Sequence, residues 1–245
     1  MRSKAYHAFT QKLSYFDDDL ELMDVLHKAV VGGDLTDPAS PHVLKHVTPA
    51  EHTHISRRKN SDGSRKIIVN HIRTTLYSSY VKDIYEEITH YLRTVLTQAS
   101  KNGFNSGRLI GEHSFKLDAK AVLELGDWNQ VCQMVTESVF QSLEAEKSTL
   151  KLLEKMASKL ALNIDHQLID AALPYLEARH FLVHTDGKVT QEYINTYPTI
   201  PIKEGYVWLN FAFINGLRAS VKALVAEYDK EVIANNLLRP EDTQP

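Results

Sequence analysis

The chain has 245 residues, enough for one large domain or two modest ones around a real core. Its hydrophobic content of 43% and charged content of 24% suit an ordinary globular protein. A net charge of −3 gives no general attraction to nucleic acid, so any polyanion site must come from local clustering.

The single cysteine, Cys132, excludes an internal disulfide framework and fits a reducing compartment. Set among Val131, Met134 and Val135, it reads as a buried thiol. The first residues lack the continuous apolar stretch of a signal peptide, and nowhere do eighteen apolar residues run together. The expectation is a cytoplasmic protein without a membrane partner. Ten glycines and eight prolines point to long regular elements rather than many turns.

In chain order, residues 6–31 predict one or two short helices closed by Gly32-Gly33. A polar, proline-bearing connection follows, and the boundary of the main domain is placed near Lys66. From there Val69, Ile72, Leu76, Tyr80, Ile84, Ile88, Tyr91 and Val95 step by three or four residues, one face of a long helix ending near Asn102-Gly103. A second helical zone covers 118–162, through Trp128, Val131, Val135, Val139 and Leu143, then Leu150, Leu153, Met156 and Leu160. A third runs from Asp165 to His184, with Pro174 either kinking it or marking its true start. A fourth begins near Gly205 and continues through Ile214, Leu217, Val221, Leu224, Tyr228 and Val232. Convincing strand alternation is absent. The pattern predicts an all-α antiparallel four-helix bundle over 66–235, an additional N-terminal helical segment with its long basic connection over 1–65, and a disordered tail over 236–245.

One stretch, Glu177–Val189 ("EARHFLVHTDGKV"), places Arg179, His180 and His184 in an apolar helical run that stops at Asp186-Gly187. An arginine with a histidine five to seven positions later is a weak pattern. Ten arginines and twelve histidines in this chain give about 1.5 such pairs by chance. Four occur: Arg2/His7, Arg65/His71, Arg108/His113 and Arg179/His184. The first falls in a frayed terminus, the second straddles a loop and a helix start, and the third lies in a glycine-rich connection. Only Arg179/His184 stands at the end of an apolar helix, where side chains are held firmly.

The arginine, the polar residue after it and the histidine four positions further on resemble the signature of the HEPN superfamily of all-α domains. His184-Thr185-Asp186-Gly187 resembles the His-x-x-Gly-like turn that follows the motif in many members. The resemblance covers residues 66–235, with the motif on the third of four helices, and residues 1–65 have no counterpart. It implies a metal-independent endoribonuclease, usually a homodimer with a shared cleft, in a prokaryotic toxin–antitoxin or antiphage-defence setting. A cognate antitoxin or defence-system protein would be its partner. Asp186 stands where members silenced by a nucleotidyltransferase carry a tyrosine, two positions after the histidine, and this departs from that mode of control.

The residue types suit the implied chemistry. Attack by the RNA's own 2′-hydroxyl needs a base, an acid for the leaving 5′-oxygen, and positive charge on the forming phosphorane. An imidazole, with an ordinary pKa of about 6.5, can act as base or acid, and a guanidinium offers a planar fork to phosphate oxygens. Arg179 and His184 are therefore read as catalytic, with His180 assisting by positioning. The stripe Ile169, Leu173, Leu176, His180 and Val183 also allows His180 to be a satisfied core histidine. Five residues at about 100° each put Arg179 and His184 roughly 140° apart, so one helix makes a poor site and two copies could make a composite one.

Arg57, Arg58, Lys59, Arg65, Lys66 and Arg73, against the single acid Asp62, form the densest positive segment and a candidate for RNA phosphates in single-stranded or loop regions. The alternative is a solvated loop with some basic side chains. His42, His46, His52 and His54 lie in a loop without cysteine or rigid frame, so neither a metal site nor a cofactor is expected. Two other functions stay open: a non-catalytic helical module binding RNA or a partner protein, and a nucleotide-binding regulator.

Overall fold

The structure, a computed structural model, describes residues 1–111, 118–145 and 148–245, and its fold is all-α. In order come α1 (Lys4–Gly32), α2 (Asp62–Lys101), α3 (Ser106–Ile110), α4 (Ala119–Glu124), α5 (Trp128–Glu144), α6 (Thr149–Leu160), α7 (His166–His184), α8 (Gln191–Thr196) and α9 (Phe211–Ala234). Among the described residues, four two-residue strands accompany them. β1 (Arg2–Ser3) pairs with β4 (Thr243–Gln244), and β2 (Ile202–Lys203) with β3 (Tyr206–Val207), both antiparallel.

α2 is the axis of the molecule. Its 40 residues begin after Ser61, whose hydroxyl accepts the Ser64 N–H, with Asp62 in the first turn where the helix dipole favours negative charge. Val69, Tyr77, Tyr80, Ile84, Ile88, Tyr91 and Val95 bury one stripe of it. α1, α5 and α7 pack against α2, and α7 packs in turn against α9. Ile72, expected on the buried face, is exposed. Three residues on from Val69, it turns about 60° to the far side of that stripe.

α1 is one continuous helix of 29 residues rather than one or two short ones, because nothing within it breaks the hydrogen-bond ladder before Gly33. Gly33 adopts φ 90° and its N–H reaches Ala29 and Val30 oxygens, a cap that a residue without Cβ forms at little cost. Phe9, Leu13, Leu20, Met23 and Val30 enter the same core as α2 and α9. Asp17 of α1 binds Arg218 (3.2 Å) and Lys222 (2.6 Å) of α9.

Both ends of the chain differ from expectation. The start is not frayed: the Ser3 N–H donates to the buried Asp229 carboxylate at 3.1 Å, which also accepts the Tyr91 hydroxyl at 3.3 Å. Residues 236–245, read as a disordered tail, instead form a 3-10 turn over Pro240–Asp242 and strand β4 against β1. Gln98 donates to Asp242 at 3.0 Å and helps hold that strand in place. These partners are far away in sequence, so local composition does not report them.

The second helical zone resolves into α4, α5 and α6. Gly126, at φ 63°, separates the first two, and Asp127 caps α5. Trp128 therefore stands at the first position of α5, exposed, rather than on its packed face. Cys132 is buried, as its neighbours imply. α7 runs unbroken through Pro174 from its cap at Asp165, so the proline does not mark the start. The fourth zone starts later than Gly205. Glu204 (φ 53°) and Gly205 (φ 81°) supply the two left-handed positions of a tight hairpin between β2 and β3, and Asn210 caps α9.

Candidate active site

The end of α7 is anchored on its inner side and open on its outer side. Ala178 and Leu182 are buried, and the Phe181 ring meets the Tyr193 ring edge-on at 4.8 Å. The Tyr193 hydroxyl donates to the Pro174 carbonyl at 2.6 Å, tying α8 to the middle of α7. Burial raises the Tyr193 pKa, so this donor stays protonated at neutral pH. The helix closes through Asp186 (φ 52°) and Gly187 (φ 88°), with the Gly187 N–H on the Phe181 carbonyl at 2.9 Å. The sequence-expected Asp-Gly turn is thus the αL closure of the helix.

On the outer side, Arg179, His180 and His184 line one cleft of about 530 Å³. This corrects the expectation that Arg179 and His184 point away from each other. The backbone positions do diverge, but a long arginine side chain reaches round the helix surface to Tyr85 of α2. The Arg179 guanidinium carbon lies 4.8 Å from the centre of that ring. His180 is exposed, so it is not a core histidine. Its ring centre is 4.7 Å from that of His184, with the planes 50° apart.

Helices other than α7 complete the wall, and the sequence reading missed them. Tyr85 comes from α2, Glu144 from the end of α5 and Thr149 from the start of α6, while Glu177 precedes Arg179 on α7 itself. Tyr85 had one visible signal: a large aromatic one position off the buried stripe Ile84–Ile88–Tyr91. Burial raises its pKa most, against lowering by a hydrogen bond with Thr149 and by the Arg179 charge. Glu144 is paired with Arg93 at 3.2 Å, and Arg93 in turn lies over the Phe140 ring. Among the described residues, Arg179 Nε is buried without a hydrogen-bond partner.

The six cations of the basic segment do not gather in this way. Arg65 donates to Asn60 at 2.8 Å and pairs with Asp62, and its side chain is only 12% exposed. Arg73 contacts His27 Nε2 of α1 at 3.1 Å. Arg57, Arg58, Lys59 and Lys66 are exposed. Arg57 and Arg58 line a larger cleft of about 800 Å³ together with Ile55, Ile67, Ile68 and Ile72. Along α2, at about 1.5 Å per residue, about 28 Å separates Lys66 from Tyr85.

Of the rival arginine–histidine pairs, Arg2 lies in β1 and Arg108 donates to the Ser158 carbonyl at 3.0 Å. His113, the partner read for Arg108, lies outside the described residues. Among the described residues, His42, His46, His52 and His54 do not enter any group of three or more metal-ligating side chains. His52 instead accepts the Thr48 N–H through Nδ1 at 3.0 Å. Among the described residues, no helix is long and apolar enough to cross a membrane. No family model, no curated protein and no solved structure matches this chain.

Proposed function

We propose that the chain is a metal-independent endoribonuclease of the type its motif resembles, a HEPN domain arranged as a four-helix bundle. The observation that carries this reading is the convergence of Arg179, His180 and His184 in one cleft. In the proposed reaction a histidine takes the proton of a ribose 2′-hydroxyl, and that oxygen attacks the adjacent phosphorus. The 5′-oxygen leaves with a proton from an acid, and the other product is a 2′,3′-cyclic phosphate. Arg179, whose Nε is buried without a partner among the described residues, offers its guanidinium to the added negative charge.

The ring geometry bears on assembly. In-line displacement puts the attacking and leaving oxygens on opposite sides of phosphorus. Two imidazoles with centres 4.7 Å apart stand side by side and serve one side only. We assign His184 to proton transfer and His180 to holding it. The opposite side is served by the motif of a second copy, since a twofold interface is the commonest homo-oligomeric solution and both histidines are open to one. Arg57, Arg58, Lys59 and Lys66 are proposed to guide RNA phosphates from a distance. The biological setting we propose is toxin–antitoxin or antiphage defence.

The test is incubation of the purified protein with tRNA and total RNA in EDTA, with end-group analysis. Cleavage leaving 2′,3′-cyclic phosphate is expected. Activity that disappears in EDTA and returns with a divalent ion overturns the transesterification mechanism, and an active monomer in sedimentation overturns the composite site. A second reading, a non-catalytic module binding a partner protein, draws on the isoleucine-lined cleft that includes Arg57 and Arg58.

A further inference from the structure

The hairpin after α8 carries a feature that catalysis at Arg179 and His184 does not use. β2 and β3 pair with Lys203 opposite Tyr206, and Tyr206 bridges on its other side to Lys188. The Val189 N–H reaches the Gly205 carbonyl at 3.0 Å, and the Val207 N–H reaches the Gly187 carbonyl at 2.9 Å. Directly opposed residues of neighbouring strands project from the same face, so Lys188, Tyr206 and Lys203 form one row. Trp208, whose N–H continues the ladder to the Pro201 carbonyl, stands two residues beyond Tyr206 and shares that face. Val207, between them, is buried on the opposite face.

Two large aromatic rings stand in water on that outer face. Tyr206 is 45% exposed and Trp208 47%. Lys188 and Lys203 are exposed, and neither joins an ion pair among the described residues. The row is fastened to the turn that closes α7, since Gly187 bonds both Phe181 and Val207. Only three residues intervene between His184 and Lys188, a chain reach of at most about 14 Å. Asp186 and Glu204 are also exposed nearby, so charge alone attracts no polyanion here. A ligand matched to two aromatic rings between lysines carries flat π faces beside negative charge.

We infer that Tyr206 and Trp208, flanked by Lys188 and Lys203, form a stacking platform for unpaired nucleobases of RNA entering the cleft. Stacking on an aromatic side chain is tolerant of sequence and needs the base out of a duplex. The platform therefore selects single-stranded segments, and this extends the nuclease reading to its substrate.

The test uses the full chain and a 2′-O-methyl oligouridylate of about twelve nucleotides, which lacks the hydroxyl nucleophile and binds without being cut. Trp128→Phe, at an exposed position, leaves Trp208 as the only indole. Its emission should be quenched by the single strand and unchanged by the same strand in a duplex. Trp208→Ala should weaken binding about 5- to 150-fold, and Trp208→Phe should keep most of it. Quenching by the probe in a protein that cuts no RNA would uphold the platform and overturn the nuclease. Cleavage dependent on Arg179 and His184 without quenching would overturn the platform alone. If Trp208→Ala leaves affinity intact but turns a dimer into monomers, the face is a contact between copies and the proposal fails.

Discussion

The end of α7 and the start of α2 hold similar polar material and use it differently. At the end of α7, three side chains from six residues of one helix meet at a wall built by α2, α5 and α6. At the start of α2, six cations spread over seventeen residues of coil and first helical turns. Two of them, Arg65 and Arg73, are occupied by Asn60, Asp62 and His27. The difference is one of framing. A helix end packed on three neighbours gives each side chain a fixed origin, whereas a loop lets its cations find the nearest carbonyl or carboxylate first. Counting charges overstates such a loop and understates such a helix end.

The largest effect that could break this contrast lies in the motif. Arg179→Ala and His184→Ala should each lower RNA cleavage by about 10²–10³-fold, with helical content nearly unchanged, because His184 is exposed and Arg179 only partly buried. Circular dichroism beside a cleavage assay reads both. Wild-type rates in both variants would end the assignment.

Next comes the wall. If the Tyr85 ring positions Arg179, Tyr85→Leu should cost about 2- to 30-fold in cleavage, the span of a cation–π contact, while Tyr85→Phe keeps the ring and most of the rate. Equal losses in the two variants would transfer the role to the hydroxyl and its hydrogen bond with Thr149.

In the basic segment, structure separates neighbours that composition treats alike. Arg65→Ala should destabilise the fold by about 1 kcal/mol, a Tm drop of about 2–4 °C in a chain of this size. Arg57→Ala should leave Tm alone and instead flatten the dependence of log affinity for single-stranded RNA on log salt by about 0.7. The same response from both would erase the distinction between occupied and exposed cations.

The smallest effect concerns the acids beside the motif. Glu144 and Glu177 both line the cleft, and Glu144 is paired with Arg93 at 3.2 Å. Glu177→Gln should strengthen RNA binding about two- to fivefold by removing a like charge near the phosphates. Weaker cleavage with unchanged binding would make Glu177 a proton carrier instead.

From the sequence alone, much of the helical frame was legible, because burial of one face repeats every three or four residues and leaves its mark on α2, α7 and α9. The Arg179–His184 stretch was legible for the same reason: it interrupts an apolar run and ends on a left-handed Asp-Gly turn. Tertiary structure decided everything that depends on partners far apart in the chain. It joined α1 to the core through Asp17 and Arg218, and it tied both ends together through Ser3, Asp229 and the β1–β4 pair. It turned the Gly205 region into a hairpin because Glu204 and Gly205 both take positive φ beside the α7 turn. It also brought Tyr85 beneath Arg179, a contact across 94 residues of chain that no local periodicity can encode. Helical period is a property of neighbours three and four residues apart, whereas a cleft is a property of which faces pack, and packing is settled only when the whole core closes.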